Sequence, residues 1–144
     1  MPSWTYRILP QQNLIITAFR DKIVISDIIQ SNIAFSEDPL FNEDFDLLVD
    51  LSRCISIGFR VDILDYISFF RKRFRFKKRL RVCLIIGTLN QEYLARIYKT
   101  FGDSLNLDID YFREMEDGLN WLNRDENQKA EIVQLLANVF IDSK

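Results

Sequence analysis

The sequence predicts an α/β domain: a mixed, mostly parallel sheet of about five strands, opened by a β-hairpin, packed with helices and extended by one helix at the carboxyl end. Three observations predict it. Short runs of strand formers alternate with helical apolar stripes along the chain. The first two runs lie back to back around Pro10-Gln11-Gln12, as the strands of a hairpin do. The 144 residues are 48% apolar and 28% charged with only four Gly and three Pro, so no stretch reads as a linker.

In chain order, the hairpin strands are Trp4 to Leu9 and Asn13 to Phe19, the second carrying Leu14-Ile15-Ile16-Thr17-Ala18-Phe19. Arg20-Asp21-Lys22 reads as a turn. Ser26 is placed to cap a helix running to about Phe35, with Ile25, Ile28, Ile29 and Ile33 on one side. Phe45 to Leu51 is a strand of the buried kind. A helix follows from about Arg60 to Phe74, with the stripe Ile63, Ile67, Phe70, Phe74. Leu80 to Ile86 is the most apolar short run and reads as a central strand. Gly87 to Asn90 is a turn with Asn90 as the cap of a helix that turns Leu94, Ile97, Tyr98 and Phe101 inward and stops at Gly102. Leu107 to Phe112 alternates apolar and acidic residues, as an edge strand does. Glu114 to Leu122 is a short helix. A capping box at Asn123/Glu126 or Asp125/Gln128 then opens a last helix with the stripe Ile132, Leu135, Leu136, Val139, Phe140.

Composition narrows the function. The chain has no histidine, which removes the commonest general base and zinc ligand. Its two cysteines, Cys54 and Cys83, sit in apolar surroundings and are expected to be buried thiols in a reducing cytosol. No catalytic residue, metal or cofactor is expected. No apolar run approaches the ~20 residues needed to span a bilayer, and the first residues do not read as a signal peptide, so a cytoplasmic location is expected.

The order of elements and four local strings resemble the STAS-like domains, the fold of bacterial anti-sigma-factor antagonists, and in particular the stand-alone SpoIIAA-like branch. The strings are the hairpin-then-helix opening, Glu37-Asp38-Pro39-Leu40-Phe41, Leu48-Val49-Asp50-Leu51-Ser52, and Phe112-Arg113 through Trp121-Leu122. The resemblance covers residues 4 to about 123, taken as the core, with the added helix over 124–142. It implies a regulatory module that acts by binding a protein partner. In anti-sigma-factor antagonists a serine at the start of the second helix accepts phosphate. Here Phe59 and Arg60 fall near that place and the family's Asp-Ser-Ser-Gly is absent. Ser52 and Ser56, with Asp50, mark the nearest candidate switch region.

Each candidate has a plainer reading. Asp50 ends a buried strand, where α/β folds gather ligands, but a cap on the following turn explains it better. The acidic set Asp103, Asp108, Asp110, Glu114, Glu116 and Asp117 lacks the spacing of a calcium loop and reads as a solvated face. The strongest signal is Arg71-Lys72-Arg73-Phe74-Arg75-Phe76-Lys77-Lys78-Arg79-Leu80-Arg81, eight bases in eleven positions. Residues 60–81 carry a net charge of +7 against −4 before them and −5 after. The run fits either an anionic docking surface, such as an acidic protein face or lipid headgroups, or a helix end in solvent. Phe69 and Phe76 are expected off the buried stripe, as added contact area. No nucleic-acid partner is expected. The last helical stripe needs cover, and packing it on a second copy would make a homodimer. The alternative function is a carrier or sensor of a small apolar or lipid ligand, held in a pocket beside the basic helix. The expected state of the switch region is unmodified: intact-mass measurement of protein from its native host should show no stoichiometric phosphoserine at Ser52 or Ser56.

Overall fold

The computed structural model describes residues 3–141, apart from the side chains of Phe59, Arg60 and Val61. Strand β1 (Trp4–Leu9) and strand β2 (Leu14–Ile23) pair antiparallel across a 3-10 turn at Pro10–Gln12, with Trp4 opposite Phe19 and Leu9 opposite Leu14. Asn13 takes the left-handed conformation (φ 53°) that closes such turns readily. β2 does not stop at the expected turn. It runs through Arg20-Asp21-Lys22, pairing Asp21 with Cys54 and Lys22 with Ile55 after a register shift between Ala18 and Arg20. Asp21 sits at φ 62° inside the paired strand, and the extra residue of the shift lies on the partner strand, where Leu51 and Ser52 stand against Phe19 alone.

Helix α1 (Ile25–Ser36) is capped by Asp27, whose Oδ2 accepts from the Val24 N–H at 2.8 Å; Ser26 is exposed and is not the cap. Strand β3 (Asp46–Ser56) extends beyond its apolar run. Helix α2 (Phe59–Arg73) starts after Gly58, whose φ of 74° favours glycine. Strand β4 (Leu80–Ile85) leads to helix α3 (Leu89–Thr100). Thr88, not Asn90, is the cap of α3: its Oγ1 accepts from the Gln91 N–H at 3.1 Å. The four-residue helix α4 (Gly102–Leu105) precedes strand β5 (Leu107–Phe112). Helices α5 (Met115–Trp121) and α6 (Glu126–Asn138) complete the chain, and α6 uses the Asp125/Gln128 box, with bonds of 2.8 and 2.9 Å.

The strands lie in the order β1-β2-β3-β4-β5, with β2 to β5 parallel. Every parallel connection steps the same way, and right-handed crossovers therefore place α1, α2 and α3 together on one face. That face buries Ile15, Phe19, Val49, Val82 and Leu84 against Phe35, Ile67, Phe70 and Leu94. The opposite face, with Leu14, Ile16, Leu48, Cys83 and Ile85, is covered by Leu119, Leu122, Ile132 and Leu136 of α5, α6 and the turn between them. The approach of α5 requires Gly118: a Cβ there would stand 2.7 Å from Ile85 Cδ1 and 2.8 Å from Cys83 Sγ. Arg20 lies 4.5 Å from the Phe140 ring and Arg53 donates to the Leu136 carbonyl, which ties the end of α6 to β2 and β3.

The stripe of α6 is thus covered from within. Ile132, Leu136, Val139 and Phe140 are buried on the chain's own sheet, and the need for a second copy to cover them falls away. Among the described residues no helix is long and apolar enough to cross a membrane. Ile132→Ala should lower stability by about 2–5 kcal/mol in urea titration. A chain ending at Asn123 should lose its native circular dichroism, because about 1.5–3 kcal/mol for each buried apolar side chain lost approaches the whole net stability of a domain.

Candidate functional site

The site region is set by a mismatch in strand length. β3 pairs with β4 only over Leu47–Asp50 but stays paired with β2 as far as Ser56. From Leu51 onward its other edge meets no strand, and its carbonyls need donors. The first turn of α3 supplies them. Gln91 Nε2 donates to the Cys54 carbonyl at 2.9 Å, Asn90 Nδ2 donates to the Ser56 carbonyl at 3.3 Å, and Gln91 Oε1 accepts from the Gly87 N–H at 2.7 Å. Gln91 is only 2% exposed. Its one mark in the sequence is the capping-box spacing of Thr88-Leu89-Asn90-Gln91, which the candidate residues above do not include.

Around this overhang lies a rim of exposed apolar side chains. Ile55 is 56% exposed and Leu89 77% exposed, and Ile57, Val24 and Tyr93 are exposed as well. The Ile57 N–H donates to the Ile23 carbonyl at 2.8 Å, which sets Ile57 beside the start of α1, and the Asn90 bond sets α3 beside Ser56. Beneath the rim, between the sheet and α1, α2 and α3, is a partly enclosed, chiefly apolar cavity of about 50 Å³. Its polar lining includes Asn32, Tyr66 and Tyr98. The Tyr66 hydroxyl accepts from Asn32 Nδ2 at 3.0 Å, while the buried Tyr98 hydroxyl makes no well-formed hydrogen bond. Burial raises the pKa of Tyr66 and raises that of Tyr98 well above the ordinary tyrosine value.

No family model matches the chain, and no curated protein matches it. Among solved structures it is similar to an uncharacterised protein of the DUF3478 family with a SpoIIAA-like fold from Shewanella loihica PV-4. The TM-score is 0.56 at 18% identity, and the match covers 85% of this chain and 95% of that one. The chain has a SpoIIAA-like fold.

Within this SpoIIAA-like fold, the candidate switch residues lie at the overhang. Asp50 is buried, and its Oδ1 accepts from both the Ser52 N–H at 3.0 Å and the Ser52 hydroxyl at 2.6 Å, which makes it a cap on its own strand kink. Ser52 is exposed. Ser56 is buried, with Gln91 Nε2 3.5 Å from its Oγ. Phe59 and Arg60 open α2, and their side chains lie outside the described residues.

The basic run is divided. Arg71 donates to Ser104 Oγ at 3.1 Å, and Arg73 donates to Ser36 Oγ at 2.9 Å. Arg79 bridges Asp103 and Asp108 at 2.7 and 2.6 Å. Arg81 pairs with Asp46 at 3.3 Å and donates to the Trp121 carbonyl at 2.9 Å. Lys72, Arg75, Lys77 and Lys78 are exposed and have no ion-pair partner among the described residues. Phe69 and Phe76 do not add contact area: both are half-buried against the core, with Phe76 stacked on Phe74 at 5.6 Å. The acidic set is dispersed. Asp103 and Asp108 serve Arg79, Asp110 serves Lys99, and Glu116 serves Lys129. Among the described residues no cluster could hold a metal.

Burial pushes both thiols up to about 12, Cys54 beneath the overhang and Cys83 in the central strand. A thiol whose folded pKa is raised supports the fold fully below its unfolded pKa and loses that support as pH rises toward the folded value. Native stability should therefore decline from about pH 9 upward. Thiol labelling near pH 8 should proceed only after denaturation. Gln91→Ala should cost about 1–3 kcal/mol by stranding the Cys54 carbonyl, and should make Cys54 label before Cys83.

Proposed function

We propose that this chain is a non-catalytic, cytoplasmic regulatory module that acts by docking a protein partner on the apolar rim of Val24, Ile55, Ile57, Leu89 and Tyr93. The carrying observation is the rim itself. Five apolar side chains are held in the open by ordered backbone at the carboxyl ends of β2 and β3 and the amino end of α3. Grouped exposed apolar side chains on a folded domain mark interaction sites. The partner is accordingly a protein that presents an apolar face. The SpoIIAA-like fold supports a module of this kind.

The cavity favours a carrier less. At about 50 Å³ it is a third of the volume of an apolar cavity known to admit benzene, ~150 Å³. An acyl chain would require α2 to move outward from the sheet. The two readings separate in one pair of measurements. A photo-crosslinking side chain placed at Ile57 or Leu89 in the native host should give one recurrent protein adduct, absent when it is placed at Lys77. Ile55→Asp should remove that adduct without changing the melting temperature by more than a few degrees. Short-chain fatty acids should leave the melting temperature unchanged. No adduct at the rim, together with a saturable thermal shift by a fatty acid, would transfer the function to the cavity.

A further inference from the structure

We propose that a second site, at the opposite end of the sheet, binds a phosphate monoester that also carries a hydroxyl group. A polar cleft of about 320 Å³ opens at the amino-terminal ends of β2, β3 and β4, lined by Gln12, Asn13, Asp46, Lys78, Arg81 and Arg124, with Asp44 and Arg79 at its side. That volume falls within the ~300–1,000 Å³ of small-molecule sites.

Two buried polar groups in the cleft are unsatisfied. The Arg124 side chain is only 9% exposed, and its Nε has no acceptor. Gln12 is 5% exposed, and its Oε1 has no donor. The two residues are neighbours, because Arg124 Nη1 donates to the Gln12 carbonyl. Rotating the Gln12 amide would not solve its problem. Its Nε2 donates to Glu131 Oε1 at 2.6 Å, and a rotated amide would set oxygen against that carboxylate. The wall of the cleft therefore holds an unpartnered donor and an unpartnered acceptor on neighbouring residues, both closed to solvent while the Arg124 side chain keeps this position.

Its charge selects the ligand. Asp46 is the one carboxylate shared by Arg81 at 3.3 Å and Arg124 at 3.7 Å. Arg79 is matched outside the cleft by Asp103 and Asp108, and Lys78 is exposed without an ion-pair partner among the described residues. Arg81, Arg124 and Lys78 outnumber Asp44 and Asp46, so a cation excess remains at the mouth. With a small outward shift of the Arg124 side chain, a phosphate oxygen can accept from the planar guanidinium at Nε, with Lys78 as a mobile counter-charge. A hydroxyl on the same molecule can donate to Gln12 Oε1. A free polyol phosphate and a phosphoinositide headgroup share this chemistry.

The test uses the full chain and amide chemical shifts. Glycerol 3-phosphate should give saturable shifts at Asn13, Asn123 and Arg124, and glycerol alone should give none. Lys78→Ala should weaken binding roughly tenfold. Lys72→Ala, outside the cleft, should not change it. Arg124→Lys keeps the charge but lacks the Nε donor and should abolish binding. If that variant fails to fold, the Lys78→Ala and Lys72→Ala pair still decides. Vesicles of a monophosphorylated phosphoinositide in phosphatidylcholine separate the sources, because that headgroup carries both the phosphate monoester and free hydroxyls: binding to vesicles alone identifies a headgroup, and binding to free ligand a soluble metabolite. No saturable shift by either source at about 10 mM phosphate, or equal weakening by Lys72→Ala and Lys78→Ala, overturns the site.

Discussion

A parallel sheet leaves no strand face that water can be allowed to wet, and the remaining architecture follows from that requirement. β2 to β5 advance across the sheet in one direction, so right-handed crossovers deliver α1, α2 and α3 to a single face. The other face, with Leu14, Ile16, Leu48, Cys83 and Ile85, would stay bare if the chain stopped after β5. α5 and α6 exist to cover it. This is why Gly118 must be small and why Lys129, nearly buried on α6, is met by Glu116, Asn120 and Glu126. The last helix is a structural layer, although the fold core read from the sequence ends before it.

The two ends of the sheet diverge in chemistry because the strands are not of equal length. At the carboxyl end β3 outruns β4, and its edge is closed by amide side chains in place of a strand. That closure satisfies the backbone and leaves the outward side chains Ile55 and Ile57 uncovered. At the amino end the strands begin nearly level, with Leu14 opposite Asp46 and Leu47 opposite Val82. There the connection from α5 to α6 crosses the strand ends and is held by Arg81 and Arg124. One end is therefore apolar and open, and the other polar and recessed.

Much of this was legible, and the misses share a cause. β5 is legible to the residue because Leu107-Asp108-Ile109-Asp110 carries the period-two signal of an edge. The buried stripes of α2 and α6 were legible for the same reason, as apolar periodicity follows burial. Polar residues that serve the backbone leave no such period. Arg20-Asp21-Lys22 looked like a turn because composition cannot show that β3 is long enough to pair with it. The apolar run that marks β3 in the sequence ends at Leu51, whereas pairing with β2 carries the strand to Ser56. Gln12 and Arg124 are isolated in sequence, and only the fold brings each to its partners.

The basic run shows how such a reading divides on folding. As a string it is one feature, with eight cations in eleven positions. In the fold its members point to different tasks, because the chain leaves a helix, turns and enters a strand within those residues. Arg81 alternates onto the α5–α6 face and becomes an internal tie, while Arg79 binds the acids before and within β5. Phe74 and Phe76 draw the turn down onto the core, with Arg75 outward between them and Lys77 and Lys78 exposed after them. The high local charge density is therefore not a uniform surface. It is the outward side of a segment whose inward side is aromatic, and of Arg75, Lys77 and Lys78 it is Lys78 that lines the cleft at the amino-terminal ends of the strands.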